Sequence, residues 1–367
     1  MKKALIVLPT YNEEGNIEKL IEKIFNQQKK TKIWEIYVLV VDSDSKDKTQ
    51  LIVKKLQKKY KNLFLLSTKK MGLGKAYIDG FSYALEKINP YLFFEMDADL
   101  SHDPSLIPYF FEKIEKGADF VIGSRYIKGG SIPKDWGLHR KIFSIFGNII
   151  ARLGFMKPKI TDWTSGYRAI KTWLVKKALS YLKNYSGYVF QIAFLDFAIK
   201  NGARIEEIPI KFYERKHGVS KINSPQFIFQ SLLYIFLNSA FIRFFIVGLS
   251  GFIIDFSLLY FFINKIHIPS YLIWLAQAIS SEVAIINNFI LNNFWSFSHK
   301  KVDGSWISAF IKFNFISLGG LIIQTILLQL MVIIFGRSLW ILYKILIIGI
   351  IIIPYSYILY NKIVWKK

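Results

Sequence analysis

The sequence contains no cysteine, and this absence excludes several kinds of site. Disulfides, zinc sites built on thiolates and cysteine nucleophiles all need that residue. Acidic residues are also scarce, since 26 Asp and Glu accompany 49 Lys and Arg and leave a net charge of +23. Such a surplus favours phosphate-rich partners, either nucleic acid or an anionic membrane surface. The first nine residues lack a long apolar run and a cleavage-like site, so we expect no signal peptide.

Apolar residues dominate the second part of the chain. Hydrophobic residues make up 52% of the sequence and mean hydropathy is +0.29, which is high for a water-soluble domain. After Lys221 only 10 Lys and Arg and 3 acidic residues remain. Four apolar stretches there approach or exceed the roughly 20 residues of a membrane-spanning helix. We predict spans at residues 241–263, 271–294, 310–335 and 339–360.

The cations of this apolar part indicate its orientation. Two of the three connections hold only Lys265 and Arg337. The remaining cations lie mainly in the other connection and at the C-terminus: Lys300, Lys301, Lys362, Lys366 and Lys367. The positive-inside rule therefore predicts a multi-pass membrane protein with both termini and the first part of the chain in the cytosol.

Residues 1–221 alternate short apolar runs with amphipathic stretches. This pattern is typical of strand and helix units around a mostly parallel sheet, as in Rossmann-like α/β domains. We predict strands at residues 4–8, 36–41, 63–67, 91–96 and 120–122. Apolar residues at helical spacing precede the second and fourth strands: Ile17, Leu20, Ile21, Ile24 and Phe25, then Tyr77, Phe81, Ala84, Leu85 and Ile88.

Two further segments, about residues 139–153 and 224–240, are amphipathic but too polar or too short to span a membrane. We interpret both as helices that lie in the membrane interface. For the first, the alternative is a helix packed on the protein core. The basic residues Arg140, Lys141 and Arg152 favour the interfacial position.

A pair of carboxylates follows the apolar strand at residues 91–96. Asp97 and Asp99 flank Ala98, and side chains two apart in extended backbone point the same way. Two such groups suit Mg²⁺ or Mn²⁺, which are commonly held by one or two carboxylates together with substrate phosphates. The alternative is that one Asp caps the next helix, but Asp103 before Pro104 already fills that position.

Polar loops follow the first two predicted strands as well. Tyr11 offers a face to a nucleobase, and Asp42 offers an acceptor to base or ribose. Loops at the carboxyl ends of parallel strands are where open α/β sheets bind ligands. Each loop taken alone is also compatible with a simple turn in which Asn12 and Ser45 cap helices.

Four motifs now stand in order: Pro9-x-Tyr11-x-Glu13, the V-V-D-x-x-S-x-D loop that holds Asp42, Asp97-Ala98-Asp99, and Gly123-Ser124-Arg125. In these motifs and their order, the first part of the chain resembles family 2 glycosyltransferases of the GT-A fold. The D-W-T-S-G-Y-R and R-K-H-G-V-S-K segments, at residues 162–168 and 215–221, are similar to polyprenyl-phosphate sugar synthases, especially dolichyl-phosphate mannose synthases. The apolar part, with Asp255 and N-N-F-W-S-F at residues 292–297, resembles the GtrA-like membrane domain.

The resemblance implies a role for each motif residue. The nucleotide sugar would be held by Pro9, Tyr11, Glu13, Val40, Asp42, Asp97, Ala98, Asp99 and Arg125. Asp97 and Asp99 would hold the metal, with Ser101 at a further coordination position where mannose synthases often have Gln. Ser43 likewise replaces a frequent second Asp. Asp99, Arg125, Arg215 and Lys221 would be the catalytic group.

Two basic features carry a physical argument of their own. Arg215 and Lys221 flank Gly218, so this segment can bend, close over the donor and supply charge to a departing diphosphate. The alternative is a solvated basic linker. Arg140 is a candidate for the acceptor phosphate, and binding of lipid headgroups is the alternative.

Together with these features, the resemblance implies inverting transfer of mannose from GDP-mannose to dolichyl or another polyprenyl phosphate, with Mg²⁺ or Mn²⁺. The expected parts are a catalytic domain at 1–221, an interfacial helix at 222–240 and an all-α membrane domain of four spans at 241–367. The alternatives are a UDP-glucose or UDP-N-acetylhexosamine donor, or a lipid-sugar flippase or scaffold without catalysis. A processive polysaccharide synthase would need a base and the Q-x-x-R-W pattern, which is absent. The expected partners include the lipid bilayer but no nucleic acid, and the oligomeric state stays open.

Overall fold

The chain divides into two units of different architecture, Met1–Ile235 and Phe236–Lys367. The computed structural model describes residues 1–185, 187, 189–213, 224–336 and 338–366. The candidate residues Arg215 and Lys221 lie outside the described residues, as do Arg337 and Lys367 from the orientation argument.

The first unit contains a seven-stranded sheet. Its strands are β1 Lys2–Thr10, β2 Trp34–Asp42, β3 Leu63–Ser67, β4 Leu92–Glu95, β5 Phe120–Ser124, β6 Arg168–Lys171 and β7 Ile205–Pro209. They lie in the order β3-β2-β1-β4-β6-β5-β7, and β6 is antiparallel to both of its neighbours. All five predicted strands are present, and the prediction of a mostly parallel sheet is confirmed.

Eight α-helices accompany this sheet in the described residues. They are α1 Ile17–Asn26, α2 Thr49–Gln57, α3 Leu73–Lys87, α4 Ile107–Glu115, α5 Leu138–Gly154, α6 Thr172–Leu182, α7 Phe190–Lys200 and α8 Ser224–Asn238. The helix α1 forms where the spacing predicts it, and Ile17, Leu20, Ile21 and Ile24 are fully buried. The segment predicted at about 139–153 is α5, and the one predicted at 224–240 is α8.

Close approach of α3 to the sheet depends on one glycine. A Cβ atom on Gly80 would lie 2.9 Å from Cγ2 of Val41 and 3.0 Å from Cγ1 of Val7. Because real Cβ atoms rarely come so near to other atoms, a larger residue would push α3 away from β1 and β2. The loops at the carboxyl ends of these strands would then shift as well.

The second unit consists mainly of helices: α9 Ala240–Asn264, α10 Ile273–Leu291, α11 Trp306–Phe335, α12 Trp340–Leu346 and α13 Ile353–Leu359. Four helical segments are long and apolar enough to cross a membrane: Ala240–Asn264, Ser270–Ser296, Trp306–Phe335 and Leu342–Val364. The four predicted spans agree with them. Asp255 of α9 accepts hydrogen bonds from the hydroxyls of Ser280 (2.8 Å) and Ser281 (3.0 Å) of α10, so this intramembrane carboxyl joins two helices.

The contact between α4 and the sheet gives a test of the core. Phe111 is buried, stacks on Trp34 at 4.6 Å between ring centroids and meets Phe94 edge to face at 5.6 Å. Phe111→Ala is expected to lower the free energy of unfolding of the first unit by about 3–5 kcal/mol, because it leaves a cavity. Tyr109 on the same helix is exposed, so Tyr109→Ala should change stability by less than about 0.5 kcal/mol. Denaturant unfolding of both variants measures the difference, and equal losses would contradict this packing.

Candidate active site

Three strand ends meet at one edge of the sheet. The strand β1 lies between β2 and β4 and runs parallel to both, with Thr10 opposite Asp42 and Val7 opposite Glu95. The loops after these strands therefore emerge side by side. A cleft of about 1040 Å³ opens there and is lined by the following predicted site residues: Pro9, Tyr11, Glu13, Asp97, Ala98, Asp99, Arg125 and Arg140.

Three other predicted residues do not line this cleft. Val40 is buried in the hydrophobic core of the sheet. Asp42 is buried too, and its carboxylate accepts hydrogen bonds from the Thr10 hydroxyl (3.0 Å) and the Gln50 amide (2.6 Å). Ser101 is buried beside Asp99, to which its hydroxyl donates at 2.6 Å. The positions of Asp42 and Ser101 suit residues that orient other groups of the site.

Hydrogen bonds tie the loops after β1 and β2 to each other. The backbone N–H of Asn12 donates to Oγ of Ser45 at 2.8 Å, and the N–H of Lys46 donates to Oδ1 of Asn12 at 2.9 Å. The N-cap positions of α1 and α2 are occupied by Asn16 and Lys48. The alternative in which Asn12 and Ser45 cap helices is therefore wrong, because both side chains serve the contact between the loops.

The carboxylate pair lies in a tight turn after β4. Leu100 has a φ of +65°, and Asp99 is buried, with Oδ1 accepting the N–H of Ser101 at 3.0 Å. The side chain of Asp97 is 28% exposed and faces the cleft. The predicted cap is confirmed, because Asp103 accepts the N–H of Ser105 at 2.9 Å.

The chemistry of this pair fits a hard divalent cation. Carboxylate oxygens are ligands that Mg²⁺ and Mn²⁺ prefer, and such sites commonly leave positions for water and phosphate oxygens. Within the described ranges no group of three or more His, Asp and Glu side chains is arranged as a metal cage. Two carboxylates that line an open cleft fit a site in which phosphate oxygens supply further ligands.

His102 belongs to the site although sequence reasoning did not select it. Its Nδ1 accepts the backbone N–H of Asp97 at 3.1 Å, and its Nε2 lies 3.9 Å from Oδ2 of Asp97. The ring stacks on Tyr167 at 4.9 Å, and burial lowers the pKa of His102, which favours a neutral imidazole. In the sequence, the signal for this role was the position of His102 three residues after Asp99. That position alone does not predict these contacts.

The orientation of Arg125 is fixed by the carboxylate of Asp162. Its Nε donates to Oδ2 of Asp162 at 2.7 Å and its Nη2 to Oδ1 at 2.8 Å, while Nη2 also donates to Thr164. Burial would raise the pKa of Asp162, but Arg125 outweighs that effect and the pKa is lowered. A bidentate pair of this kind fixes the plane of a guanidinium. Arg125 thus lines the cleft in a set orientation.

The rim of the cleft carries a further cation. Nζ of Lys70 lies 3.6 Å from the centroid of the Tyr11 ring. Lys70, Gly72 and Leu73 all line the cleft next to the start of α3. The predicted face of Tyr11 for a nucleobase is therefore close to a positive charge.

The other end of the cleft is apolar. The helix α5 contributes Ile142, Phe143, Phe146 and Ile150, and α8 contributes Ile228, Leu232 and Ile235. Arg140 lies at the start of α5, where its guanidinium stacks over Trp136 at 3.9 Å from the ring centroid. One continuous cleft therefore joins the carboxylate turn to two apolar helices, and Arg140 also lines it.

The pair of Arg125 and Asp162 generates a stability prediction. Asp162→Asn keeps the side-chain volume but leaves a buried guanidinium without its counter-charge, which costs about 3–5 kcal/mol. Because the folded pKa of Asp162 is lowered, its contribution is present above the unfolded pKa of about 3.9 and is lost as pH falls through the folded pKa. Denaturant unfolding should therefore show a large loss at pH 7 that becomes smaller as the pH is lowered below about 3.9.

The control for this variant is Asp44→Asn. Asp44 pairs with Lys46 at 2.7 Å, but both side chains are largely exposed. Solvent screens such a pair, so little change in stability is expected at any pH. Equal effects of the two variants at pH 7 would contradict the structural role of Asp162.

Two family models match the chain. Glycosyl transferase family 2 matches residues 5–179, and the GtrA/DPMS transmembrane domain matches residues 243–365. A solved structure of glucosyl-3-phosphoglycerate synthase from Mycobacterium tuberculosis is similar at a TM-score of 0.47 and 17% identity, over 64% of this chain and 79% of that chain. A likeness this low bears on neither the activity nor the substrate.

Two relatives match at higher identity. A dolichol-phosphate mannosyltransferase from Pyrococcus furiosus is 32% identical over 333 residues, which are 88% of this chain and 89% of the relative. A polyprenol monophosphomannose synthase from Mycolicibacterium smegmatis is 34% identical over 224 residues, 60% of this chain and 82% of the relative. The mixed α/β sheet of the first unit is GT-A-like, and the four apolar helices with the second family match make a multi-pass membrane protein. The chain belongs to the family 2 glycosyltransferases and joins that catalytic domain to a GtrA/DPMS transmembrane domain.

Proposed function

We propose that this glycosyltransferase moves mannose from GDP-mannose to the phosphate of dolichol or another polyprenol. The observation that carries the proposal is the single cleft that joins the Asp97 and Asp99 turn to the apolar walls of α5 and α8. A nucleotide sugar needs the polar end, and a prenyl chain needs the apolar end. The names of the two relatives agree with mannose and with a polyprenyl phosphate.

The donor would occupy the sheet edge. Pro9, Tyr11 and Glu13 line the cleft and would contact the nucleoside. Val40 and Asp42 would act from the end of β2, where Asp42 shapes the loop through its bonds to Thr10 and Gln50. Ala98 and Arg125 would complete the donor site, with Arg215 and Lys221 over the phosphates.

Asp97 and Asp99 would hold Mg²⁺ or Mn²⁺ next to the diphosphate. When bound, the ion supplies positive charge that stabilises the departing nucleotide diphosphate. His102 keeps the backbone of Asp97 in place, and Ser101 orients the carboxylate of Asp99 through its 2.6 Å hydrogen bond. These contacts preorganise the pair before any substrate binds.

The reaction is a single displacement at the anomeric carbon of the sugar. An oxygen of the acceptor phosphate forms the new bond while the bond to the nucleotide diphosphate breaks. A phosphate monoester has a second pKa of about 6 and is mostly dianionic at neutral pH, so it needs no general base. Attack from the opposite side inverts the configuration, and an α-linked donor gives a β-linked product. Arg140 would hold the acceptor phosphate during this step.

The protein would bring both substrates together at the membrane surface. Several α5 side chains that do not line the cleft are apolar and exposed, including Leu138, Ile149 and Leu153. We propose that α5 and α8 lie in the interface, that residues 1–221 form the cytosolic catalytic part and that 241–367 form the membrane part. Positioning two substrates in this way removes much of the entropic barrier to their encounter.

A transfer assay tests the reaction. Full-length protein in membranes receives polyprenyl phosphate, Mn²⁺ or Mg²⁺, and labelled GDP-mannose, UDP-glucose or UDP-N-acetylglucosamine in separate reactions. Label is expected in the lipid fraction from GDP-mannose. Asp99→Asn should reduce this transfer roughly 100-fold or more, since charge stabilisation of the leaving group is lost. The control Asp103→Asn changes a nearby helix cap and should keep most of the activity.

Each outcome of the assay has a defined meaning. Label from a UDP-sugar alone would replace GDP-mannose as the donor and keep the reaction class. Transfer that Asp99→Asn leaves unchanged would remove the metal assignment. No transfer from any donor would favour a lipid-sugar flippase or scaffold.

The cytosolic orientation has its own test. Protease-cleavable tags at both termini are expected to be cut in inside-out vesicles and protected in right-side-out vesicles, since the positive-inside rule places both in the cytosol. A tag in the connection that contains Lys265 should show the reverse pattern. Cleavage of the terminal tags in right-side-out vesicles would contradict the proposed orientation.

A further inference from the structure

The helix α8 is apolar on more than one face. Ser231, Tyr234 and Ile235 are buried, while Phe229 and Leu233 are exposed. Both the protein core and a bilayer accept apolar side chains, so hydrophobicity alone does not decide which face of α8 turns toward the cleft. A rotation by one residue, about 100°, would exchange the residues that line it.

Hydrogen bonds are directional and, unlike apolar contacts, can fix the rotation of a helix. The hydroxyl of Tyr234 donates to Oδ2 of Asp196 at 2.7 Å and lies 2.6 Å from the hydroxyl of Tyr181. Asp196 belongs to α7 and is buried, with Nζ of Lys200 at 2.7 Å from Oδ2. Tyr234 thus connects α8 to both α6 and α7.

A buried carboxylate in α7 needs an explanation. The sequence of this helix, FQIAFLDFAIK, is otherwise mostly apolar. Burying a charge is costly unless partners and hydrogen bonds compensate it. Tyr234 provides one such bond, and burial raises its pKa, so the phenol stays protonated and keeps donating. The hydrogen bond therefore does not depend on ionisation of the Tyr234 phenol.

The neighbouring packing makes the position of α8 specific. A Cβ atom on Gly154 of α5 would lie 2.6 Å from Cγ2 of Ile235, so the two helices approach closely at this glycine. The ring of Tyr185 meets that of Tyr234 edge to face at 5.3 Å. With Tyr234 fixed, Ile228, Leu232 and Ile235 face the cleft.

We propose that Tyr234 and Asp196 are positioning residues for the lipid acceptor: their hydrogen bond sets the rotation of α8 and so shapes the apolar wall of the cleft. The inference rests on the proposed function, because it assigns that wall to a polyprenyl chain. Neither residue touches the donor end of the cleft. Their loss should therefore affect acceptor binding alone.

Kinetics of Tyr234→Phe test this separation. The full chain in phosphatidylcholine nanodiscs is assayed with varied polyprenyl phosphate and varied GDP-mannose. The KM for polyprenyl phosphate should rise about tenfold, which corresponds to one charge-assisted hydrogen bond. The KM for GDP-mannose and the Kd of GDP should stay within about twofold, because the donor end is unchanged.

The matched control is Tyr185→Phe. Tyr185 lies in the same aromatic cluster, but its hydroxyl contacts that of Tyr181 at 3.3 Å, not Asp196. This variant should keep the wild-type KM for both substrates. Asp196→Ala removes the hydrogen-bond acceptor of Tyr234 and should lower the affinity for polyprenyl phosphate. Asp196→Asn retains an oxygen that can accept this bond and should keep most of that affinity. Equal KM changes in the two Tyr variants, or an equal loss of donor affinity, would overturn the proposal.

A measurement of the orientation of α8 tests this proposal independently of the proposed function. The chain has no cysteine, so Leu232→Cys and Phe229→Cys introduce unique spin-label sites. Leu232 lines the cleft and Phe229 is the more exposed of the two. Tyr234→Phe should reduce the difference in oxygen accessibility between the two labels. An unchanged difference would overturn the role of the hydrogen bond, whereas a wild-type protein without transfer activity would overturn only the proposed function.

Discussion

The parallel pairing of β1 with both β2 and β4 is the constraint on which the site depends. It brings three loops to one edge of the sheet, and no single loop contains enough chemistry to act alone. Bonds from Asn12 to the loop after β2 then make two of the loops a unit. His102 and Ser101 hold the third, so the Asp97 and Asp99 pair belongs to a preformed surface.

The cleft combines two environments that a single small pocket does not provide. Its polar end presents carboxylates and cations, and its apolar end is formed by α5 and α8. A transferase that joins a water-soluble donor to a lipid needs both, and it needs them at a fixed separation. Arg140, stacked on Trp136 at the start of α5, adds a cation to the lining of the same cleft.

Much of this arrangement could be predicted from the sequence, because it depends on local patterns. Strand periodicity, the length of the apolar spans and the position of Asp97 and Asp99 after a buried strand are all local. The strands β6 and β7 were not predicted. The antiparallel pairing of β6 was also not predicted, because pairing direction depends on the path of the chain. Likewise, Arg125 pairs with Asp162 across 37 residues and Tyr234 with Asp196 across 38, and no periodicity encodes such contacts. His102 was missed because its role depends on a backbone turn.

The most direct measurement of the central claim is a crystal structure of the full chain with GDP and Mn²⁺, with an anomalous map at the manganese edge. We predict one manganese peak about 2.1 Å from a carboxylate oxygen of Asp97 or Asp99, in contact with the diphosphate. A nucleotide bound elsewhere, or a manganese peak away from both carboxylates, would contradict the account.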